Sequence, residues 1–522
     1  NASRCSNLNV QASSKLMNGA LMSINSAPKI TEIEKYGVDI IPARDRTSRP
    51  FDLFRITFGG ANSFATVLLG AFPIFFGLSL VQGLLATFLG VIVGALILAP
   101  MAVFGPLNGT NNAVSSGAHF GVVGRILGSF LSLLTAIAFY SIAVWTAGDA
   151  LIGGAVQLFG LTDSQTFRGI AYGIMALLVL IICIYGYHFM LWVNKIVVAG
   201  ASFVFILGFI AFSGDINFSY AGAFPDSSAA GFWPAFLGSA FIVLSNPISF
   251  GAFLGDWSRY IPKDAGGAKV MRAAFLAQIA SLLPFIFGLV TTAIVAEKAP
   301  ESFKNLDYVG GLLASTPGWF LWPLLLLAIL GGFSTGTTAL YGTGLDFSSV
   351  FPKLSRVQAT LLIGSFTIGL IFIGRFAFNI VTSVTTFVTL IIVCTTPWMV
   401  MMMVGYLHRR GHYLSEDLQV FNRGQKGGAY WFRNGVNIEA LSIWILSAVL
   451  SISFVNLPGQ FVGPLGNLFN GVDISLLVAV VVPAVLYTLN LMLVPEASAI
   501  HGEKGARFRA AVNKPIAPIE KK

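Results

Sequence analysis

Polar and flexible residues interrupt two long apolar stretches of this chain. Gly59-Gly60-Ala61-Asn62-Ser63 breaks the first stretch, and the segment Ser245–Gly251, which contains Asn246-Pro247, breaks the sixth. At bilayer depth such residues leave backbone groups that lipid cannot satisfy, so protein, water or a ligand must satisfy them. Paired interruptions in corresponding halves of a chain are typical of a transporter's binding site.

The eighth apolar stretch carries a run of hydroxyl and glycine residues, Gly331–Gly344, that could bind a cation. Ser334 and Thr335 are adjacent hydroxyls, and hard cations take oxygen ligands. The broken first stretch would add free backbone carbonyls. This pairing favours a sodium site between the first and eighth stretches, although each hydroxyl could instead bond to its own helix.

Aromatic and amide groups in the third and sixth stretches could hold a flat heterocycle. Phe139 or Tyr140, together with Phe250, would supply aromatic faces, and the amide of Asn246 would supply an edge contact. Stacking with a few hydrogen bonds is how such ligands are held. Further polar residues complete the predicted substrate-binding set: Asn62, Ser249, Thr337 and Thr338.

Ionisable residues deep in the apolar stretches are scarce. Five carboxylates lie near the ends of stretches, where we expect them to be solvated at the interface: Asp149, Asp256, Asp346, Glu297 and Glu439. Intramembrane ionisable groups usually mark proton or ion pathways. Their scarcity therefore favours a neutral or weakly charged substrate.

Motifs of enzymes are missing from the sequence. It has no Walker lysine, no His-Glu-x-x-His and no Gly-x-Ser-x-Gly. Five histidines lie at or beyond the ends of stretches, at spacings that predict no metal site: His119, His188, His408, His412 and His501. We predict a protein that is not an enzyme and has no cofactor. Its predicted partners are a small heterocycle, Na⁺ or H⁺ and the lipid bilayer. No nucleic acid is expected, and the predicted state is a monomer or weak oligomer.

The elements that position these residues are transmembrane helices. Of 522 residues, 55% are hydrophobic and only 10% charged, against about 25% charged in soluble proteins. Apolar runs of about 20 residues predict an all-α polytopic membrane protein with about 12 spans. These lie near 52–77, 80–104, 125–160, 168–187, 191–213, 233–254, 270–296, 318–346, 357–374, 377–407, 437–456 and 472–494.

The basic residues alternate between the connections and set the orientation. Both tails and every second connection are rich in Lys and Arg, which places both termini in the cytoplasm of a cell (plasma or inner) membrane. The net charge of +9 is thus no sign of nucleic-acid binding. Span 1 then runs outward and span 6 inward. This predicts a 5+5 inverted repeat with broken helices 1 and 6, plus two peripheral helices.

The predicted segments follow from that count. They are a polar cytoplasmic tail at 1–50, a first repeat at 51–213, a second repeat at 233–407, spans 11 and 12 at 437–494, and a cytoplasmic tail at 495–522. Residues 1–21 are expected to be non-native, with Met22 as the natural start, and Ile24–Pro50 is expected to be mobile.

Several strings along residues 50–494 resemble the nucleobase–cation symporter-1 family, in its purine–cytosine permease branch. The most specific is Asp256-Trp257-Ser258-Arg259-Tyr260-Ile261-Pro262 after span 6. Gly105–Gly109, Phe120–Gly124 and Ala339–Leu345 are also similar to family segments. The resemblance implies the inverted-repeat fold of the bacterial leucine transporter, and import of nucleobases or related heterocycles with Na⁺ or H⁺.

The resemblance also implies roles for particular residues. Carbonyls near Gly60 and Ser63 would join Gly331, Ser334 and Thr335 around the cation. Spans 1, 3, 6 and 8 would line the substrate site. Ala136, Phe139 and Gly336 depart from the cytosine-transporting pattern, and the aromatic expected near Pro247 would be replaced by Phe250. The exact substrate therefore stays open.

The sequence as a whole predicts a secondary active importer of a nucleobase-like heterocycle that works by alternating access. A symporter of the same fold for an amino acid or another small polar solute is the main alternative. A channel is a further one.

Overall fold

The computed structural model describes residues 32–521, apart from residue 35, residues 378–379 and residues 458–460. The expectations for residues 1–21 and for a start at Met22 lie outside the described residues. Helices dominate the part that is described, and the few strands are two residues long.

Eighteen helical segments of the described chain form the twelve predicted spans in order. They are Pro50–Ala61 with Phe64–Phe75 (span 1), Leu80–Leu98 with Ala99–Val103 and Phe104–Asn108 (span 2), Ile126–Phe159 (span 3), Gln165–Tyr185 (span 4), Tyr187–Ala211 (span 5), Phe232–Ser258 (span 6), Gly267–Ala280 with Leu282–Lys298 (span 7), Leu321–Val350 (span 8), Arg356–Ala377 (span 9), Ile380–Leu390 with Ile391–Thr395 and Thr396–His408 (span 10), Ile438–Ser453 (span 11) and Ser475–Leu493 (span 12).

Length and composition support a membrane location for these segments. Among the described residues, ten helices are long and apolar enough to cross a bilayer, or eleven if the bent pair in span 1 counts as one. Ile438–Ser453 is apolar but only 16 residues long. The prediction of an all-α polytopic membrane protein is confirmed.

Span 1 is broken where the sequence predicted. Its two helices meet at Asn62 and Ser63 and bend by 60°. Asn62 ends the first helix, with its N–H donating to the carbonyl of Gly59 at 3.0 Å, and Ser63 begins the second in extended backbone. The helical ladder is thereby interrupted deep inside the protein.

The prediction of a break in span 6 is wrong, because Phe232–Ser258 is one continuous helix with Pro247 inside it. Proline removes one N–H from the ladder, but nearby groups supply other bonds. The hydroxyls of Ser245 and Ser249 each donate to a carbonyl three residues earlier at 2.6 Å. The side chain of Asn112 donates to the carbonyl of Gly251 at 2.9 Å. The helix therefore continues through the proline, with side chains bonded to several carbonyls around it.

Helix packing follows the pattern of an inverted repeat. The three most extensive helix contacts join span 3 to span 8, span 2 to span 6, and the second half of span 1 to span 7. Exchanging each span with the one five places away maps the 2–6 contact onto 7–1 and leaves 3–8 unchanged. Corresponding spans of the two sets of five therefore make equivalent packing contacts.

Spans 11 and 12 lie outside the two repeats and pack on each other. Span 12 also packs on the last part of span 10. The carboxyl-terminal segment folds back on the loop between spans 10 and 11, where Gln425–Lys426 pairs antiparallel with Glu520–Lys521. Asn456–Leu457 pairs in the same manner with Phe461–Val462.

The described part of the amino-terminal segment is docked on the rest of the protein. The expectation that Ile24–Pro50 is mobile is therefore wrong for that part. Val38 and Ile41 are buried, and Ile41 donates its N–H to the carbonyl of Gly109 at 2.9 Å. Thr110 donates its hydroxyl to the carbonyl of Val38 at 2.5 Å. The segment therefore lies against the end of span 2.

Glu34 anchors this segment among the ends of spans 5, 6, 8 and 9. Its carboxylate accepts hydrogen bonds from Arg259 at 2.9 Å, from Tyr341 at 3.0 Å and from the hydroxyl of Tyr260. Burial opposes the charge on Glu34, but Arg356 and Arg259 outweigh it and hold the pKa of Glu34 below its ordinary value. The carboxylate is thus an ionised, buried anchor.

Candidate functional site

The break in span 1 contacts the hydroxyl-rich part of span 8. Thr335 donates its hydroxyl to the carbonyl of Gly60 at 2.6 Å. One turn away, Gly331 packs directly on the break, because a Cβ added there would lie 2.8 Å from Cα of Ser63. The structure thus brings four of the five predicted cation-site residues together in two adjoining contacts.

Two hydroxyl oxygens at this junction lack hydrogen-bond partners among the described residues. They are Oγ of Ser63, which is 1% exposed, and Oγ of Ser334, which is fully buried. A buried hydroxyl without a partner is costly. A dehydrated cation would satisfy such oxygens, because Na⁺-like hard ions prefer oxygen ligands. The residues present therefore fit the predicted cation.

The predicted substrate residues Phe250 and Thr338 meet at the same break. A Cβ added at Gly60 would lie 3.0 Å from Cε1 of Phe250 and 3.0 Å from Oγ1 of Thr338. Only glycine fits between these two side chains without displacing one of them. The aromatic face from span 6 and the hydroxyl from span 8 therefore flank the backbone of span 1.

Asn246 lies one turn before Phe250 on span 6. Its side chain is 1% exposed, and its Oδ1 has no hydrogen-bond partner in the part of the chain that is described. Ser249 is different, since its hydroxyl is used within the helix, on the carbonyl of Asn246. Asn246 therefore keeps an amide oxygen available, whereas the hydroxyl of Ser249 is already bonded.

Several predicted substrate residues make other contacts. The hydroxyl of Tyr140 donates to the carbonyl of Ala176 in span 4 at 2.7 Å. Thr337 donates to the carbonyl of Ser334 at 3.2 Å, and its own carbonyl accepts from Cys183 of span 4. The hydrogen bonds of Tyr140 and of the Thr337 carbonyl thus tie spans 3 and 8 to span 4.

Phe139 and Asn62 contact two further spans near the junction. The ring of Phe139 packs edge-on against Phe387 of span 10, with centroids 5.6 Å apart. The amide of Asn62 donates to the hydroxyl of Ser202 in span 5 at 3.0 Å. Phe139 therefore adds span 10 to the surroundings of the site, and Asn62 adds span 5.

Asn194 of span 5 is a residue that the sequence reading missed. It is 1% exposed, and both polar atoms of its amide lack hydrogen-bond partners within the described residues. It packs against Gly59, where a Cβ would overlap its side-chain oxygen. A single asparagine in the apolar run 191–213 was the available signal.

Two carboxylates are buried where interfacial, solvated groups were expected. Asp256 in span 6 and Asp346 in span 8 are each 1% exposed. Asn111, in the connection between spans 2 and 3, donates to Asp346 at 3.3 Å. The short helices Asn112–Ser115 and Gly117–Phe120 follow in the same connection, and Asn112–Ser115 packs on spans 6 and 8. The expectation of solvated groups is therefore wrong for Asp256 and Asp346.

The fold defines a multi-pass membrane transporter with a broken helix at this junction. A family model described as "Permease for cytosine/purines, uracil, thiamine, allantoin" matches residues 40–479. The chain belongs to this family of permeases, and the resemblance to the nucleobase–cation symporter-1 family is confirmed.

Curated relatives are permeases and transporters too. The chain is 24% identical over 477 residues to the candidate purine-cytosine permease YxlA of Bacillus subtilis, covering 87% of this chain and 95% of YxlA. It is 23% identical over 264 residues to the vitamin B6 transporter TPN1 of Saccharomyces cerevisiae, covering 49% of this chain and 43% of TPN1. The family and these relatives are transporters, not enzymes.

Solved structures share the fold. Mhp1, a nucleobase-cation-symport-1 family transporter in a closed conformation with bromovinylhydantoin bound, matches with a TM-score of 0.66 at 17% identity, over 88% of this chain and 94% of Mhp1. Inward-facing Mhp1 gives a TM-score of 0.65 at 18% identity, over 91% and 96%. A Na⁺-coupled sialic acid symporter gives 0.57 at 14% identity, over 94% and 96%. These likenesses confirm the predicted fold class.

Proposed function

We propose that this permease imports a nucleobase or a related flat heterocycle together with a cation, and that the junction of spans 1, 6 and 8 binds both. The observation that carries this proposal is the bond from Thr335 to the carbonyl of Gly60, beside the unpartnered hydroxyls of Ser63 and Ser334 and next to Phe250. Polar oxygens in need of a ligand and an aromatic face meet at one break in the backbone.

Na⁺ is the cation that this oxygen set favours. The proposed ligands are the oxygens of Gly60, Ser63, Gly331, Ser334 and Thr335. All are neutral carbonyl or hydroxyl groups, which suit a hard cation. None of them can take up and release a proton near neutral pH. When an ion binds, the hydroxyl of Thr335 would turn its hydrogen away and present a lone pair.

Phe250 and Asn246 would recognise the heterocycle. A flat ring stacks on an aromatic face, and an amide can both donate to and accept from its edge. The printed names of the relatives point to the same ligand class, since YxlA is named for purine and cytosine, TPN1 for vitamin B6, and Mhp1 holds a hydantoin. Each of these ligands is a nitrogen-containing ring with polar edges. Thr338 and Asn62 would complete the polar lining.

Transport would proceed by alternating access in a cell membrane. Spans 1, 2, 6 and 7 would move together against the remaining spans, with both termini in the cytoplasm. The orientation rests on the excess of Lys and Arg in the tails and in alternate connections. The shared contacts of spans 2 with 6 and 1 with 7 support their movement as one bundle.

Uptake by purified protein in liposomes tests this function. We expect accumulation of a labelled purine, pyrimidine or pyridine base under an inward Na⁺ gradient, and collapse of that accumulation when the gradient is dissipated. A panel of amino acids and other polar solutes serves as the comparison. Amino-acid uptake alone would favour the alternative symporter, gradient-independent flux would favour a channel, and failure of every heterocycle would refute the proposal.

A further inference from the structure

The carboxyl-terminal segment brings two histidines and a glutamate together at the end of span 10. His408 is the last residue of span 10, and Glu496 and His501 follow span 12. Their candidate ligand atoms all lie within 4.8 Å of one another. The spacing of the histidines predicted no metal site, but the fold brings His408 next to Glu496 and His501, which lie 88 and 93 positions further along the chain.

The carboxylate oxygen Oε2 of Glu496 lies close to a ring nitrogen of each histidine. Nε2 of His408 lies 3.6 Å from Oε2 of Glu496, which is beyond a hydrogen bond. Nε2 of His501 lies 3.3 Å from the same oxygen, and Nδ1 of His501 has no hydrogen-bond partner within the described chain. The side chains of His408 and His501 are 1% and 2% exposed.

The separations fit a small transition-metal ion. Bonds of about 2.0–2.1 Å in a tetrahedron place ligand atoms about 3.3–3.4 Å apart. The two separations from Glu496 are 3.3 Å and 3.6 Å. We propose that His408, Glu496 and His501 bind a divalent transition-metal ion of the Zn²⁺ type, with water as a fourth ligand. Imidazole and carboxylate ligands suit Zn²⁺, Ni²⁺ and Co²⁺ better than Mg²⁺ or Ca²⁺.

Arg409 holds the carboxylate in place for this role. Its Nε donates to Oε2 of Glu496 at 3.0 Å, and its Nη2 donates to Oε1 of Glu496 and to the carbonyl of Ala118. A carboxylate oxygen has more than one acceptor site, so Oε2 can receive Arg409 and still bind a metal. Hydrogen bonds of this kind orient ligating carboxylates in metal sites.

One contact must change when the metal binds. The backbone N–H of Phe508 donates to Nδ1 of His408 at 3.3 Å. A metal on Nε2 requires the proton on Nδ1, so this hydrogen bond is lost. The ion would tighten the segment from Glu496 to His501 on span 10 and release the backbone near Phe508. Metal binding would therefore change how the carboxyl-terminal segment lies on the transporter.

The test is metal binding by full-length, tag-free protein after treatment with a chelator. We expect about one Zn²⁺ or Co²⁺ per chain, with Co²⁺ giving the visible absorption of a four-coordinate ion. His501→Ala and Glu496→Gln should each weaken Zn²⁺ affinity tenfold or more. His188→Ala, at the start of span 5, is the matched control and should bind as the unaltered protein does.

Hydrogen exchange gives a second readout that does not depend on transport. Added Zn²⁺ should slow exchange at residues 496–501 and speed it at Phe508 in the unaltered protein, with neither change in His501→Ala. Absence of stoichiometric Zn²⁺ binding would overturn the proposal, and so would equal affinity of His501→Ala and the unaltered protein. If His501→Ala fails to fold, the Co²⁺ spectrum of the unaltered protein decides: the spectrum of a six-coordinate ion contradicts the site.

Discussion

At the scale of single residues, the contact between Thr335 and Gly60 joins the two halves of the proposed cation site. The hydroxyl of Thr335 satisfies a carbonyl that the break in span 1 exposes. The same two oxygens would face a bound ion. An ion that replaces this hydrogen bond therefore also bridges span 1 to span 8, which is how a cation could favour one conformation of the transporter.

Removing this hydroxyl should weaken the response to sodium. In Thr335→Ala we expect the Na⁺ concentration that gives half-maximal stabilisation to rise about tenfold or more, which corresponds to about 1.4 kcal/mol or more. Na⁺-dependent thermal unfolding of the purified protein measures this. Thr335→Ser should retain most of the response. Thr367→Ala in span 9, where the hydroxyl donates to the carbonyl of Ile363 in its own helix, should respond normally. An unchanged sodium response in Thr335→Ala would remove Thr335 from the site.

Gly331 tests the close approach of span 8 to the break. A Cβ there would lie 2.8 Å from Cα of Ser63, so Gly331→Ala must push span 8 away from span 1. We expect transport to fall by at least tenfold and stability to fall by about 1–3 kcal/mol. The control is Gly369→Ala in span 9, which meets nothing within 4 Å. Normal uptake by Gly331→Ala would show that this approach is not required.

At the scale of helices, the sequence predicted the spans well because apolar length and charge decide them. Every predicted span has a helical counterpart in order, and the break at Gly59–Ser63 is present. The predicted break at Ser245–Gly251 is absent: the helix continues through Pro247, and hydroxyls on the helix and Asn112 from another segment donate to carbonyls near it. Composition alone could not distinguish these two outcomes.

The contacts that a sequence cannot reveal are those made by distant side chains. Phe250 and Thr338, two of the predicted substrate residues, meet at Gly60, but Tyr140 bonds to span 4, and Asn194 is not among the predicted residues. Helix rotation decides which face a residue presents. A run that is apolar on all sides carries little information about rotation.

The amino-terminal segment gives a prediction at the same scale. The pKa of Glu34 is lowered from its ordinary value of 4.5, because Arg356 and Arg259 outweigh the effect of burial. A lowered pKa means that Glu34 stabilises the docked segment above about pH 4.5, and that this stabilisation is lost as pH falls further. We expect hydrogen exchange at residues 36–48 to accelerate below that pH, after correction for intrinsic rates.

Substitution at the same position should have the same effect at neutral pH. In Glu34→Gln the guanidinium groups of Arg259 and Arg356 lose their carboxylate, at a cost of about 3–5 kcal/mol. Trypsin should then cleave after Arg46, which Thr47 follows, faster than in the unaltered protein. Asp39→Asn changes an exposed carboxylate of the same segment and should be cleaved at the normal rate. Equal protection of Glu34→Gln would show that other contacts hold the segment.

At the scale of the whole molecule, glycines let four spans pack as one bundle. Gly70 and Gly288 allow spans 1 and 7 to touch through backbone atoms, at the carbonyls of Phe285 and Val67. Gly90 does the same for spans 2 and 6, at the carbonyl of Ala240. Small residues at helix interfaces permit this close approach in membranes. The two contacts are equivalents in the inverted repeat, so they should contribute alike to the rigidity of the bundle.

This equivalence leads to a matched pair of substitutions. In Gly288→Ala and Gly90→Ala the new methyl group overlaps a backbone oxygen that cannot move alone, so each should lower stability by about 1–3 kcal/mol. Both should lower the temperature of unfolding in the absence of sodium. Both should also leave the sodium concentration for half-maximal stabilisation nearly unchanged, because neither residue touches the junction of spans 1 and 8. Thr335→Ala should differ from both, because its sodium response is weakened in addition to any loss of stability from the hydrogen bond to Gly60. If Gly288→Ala and Gly90→Ala shifted the sodium response as much as Thr335→Ala does, the bundle would not be a rigid body distinct from the cation site, and the proposed division of the molecule into a moving bundle and the remaining spans would fail.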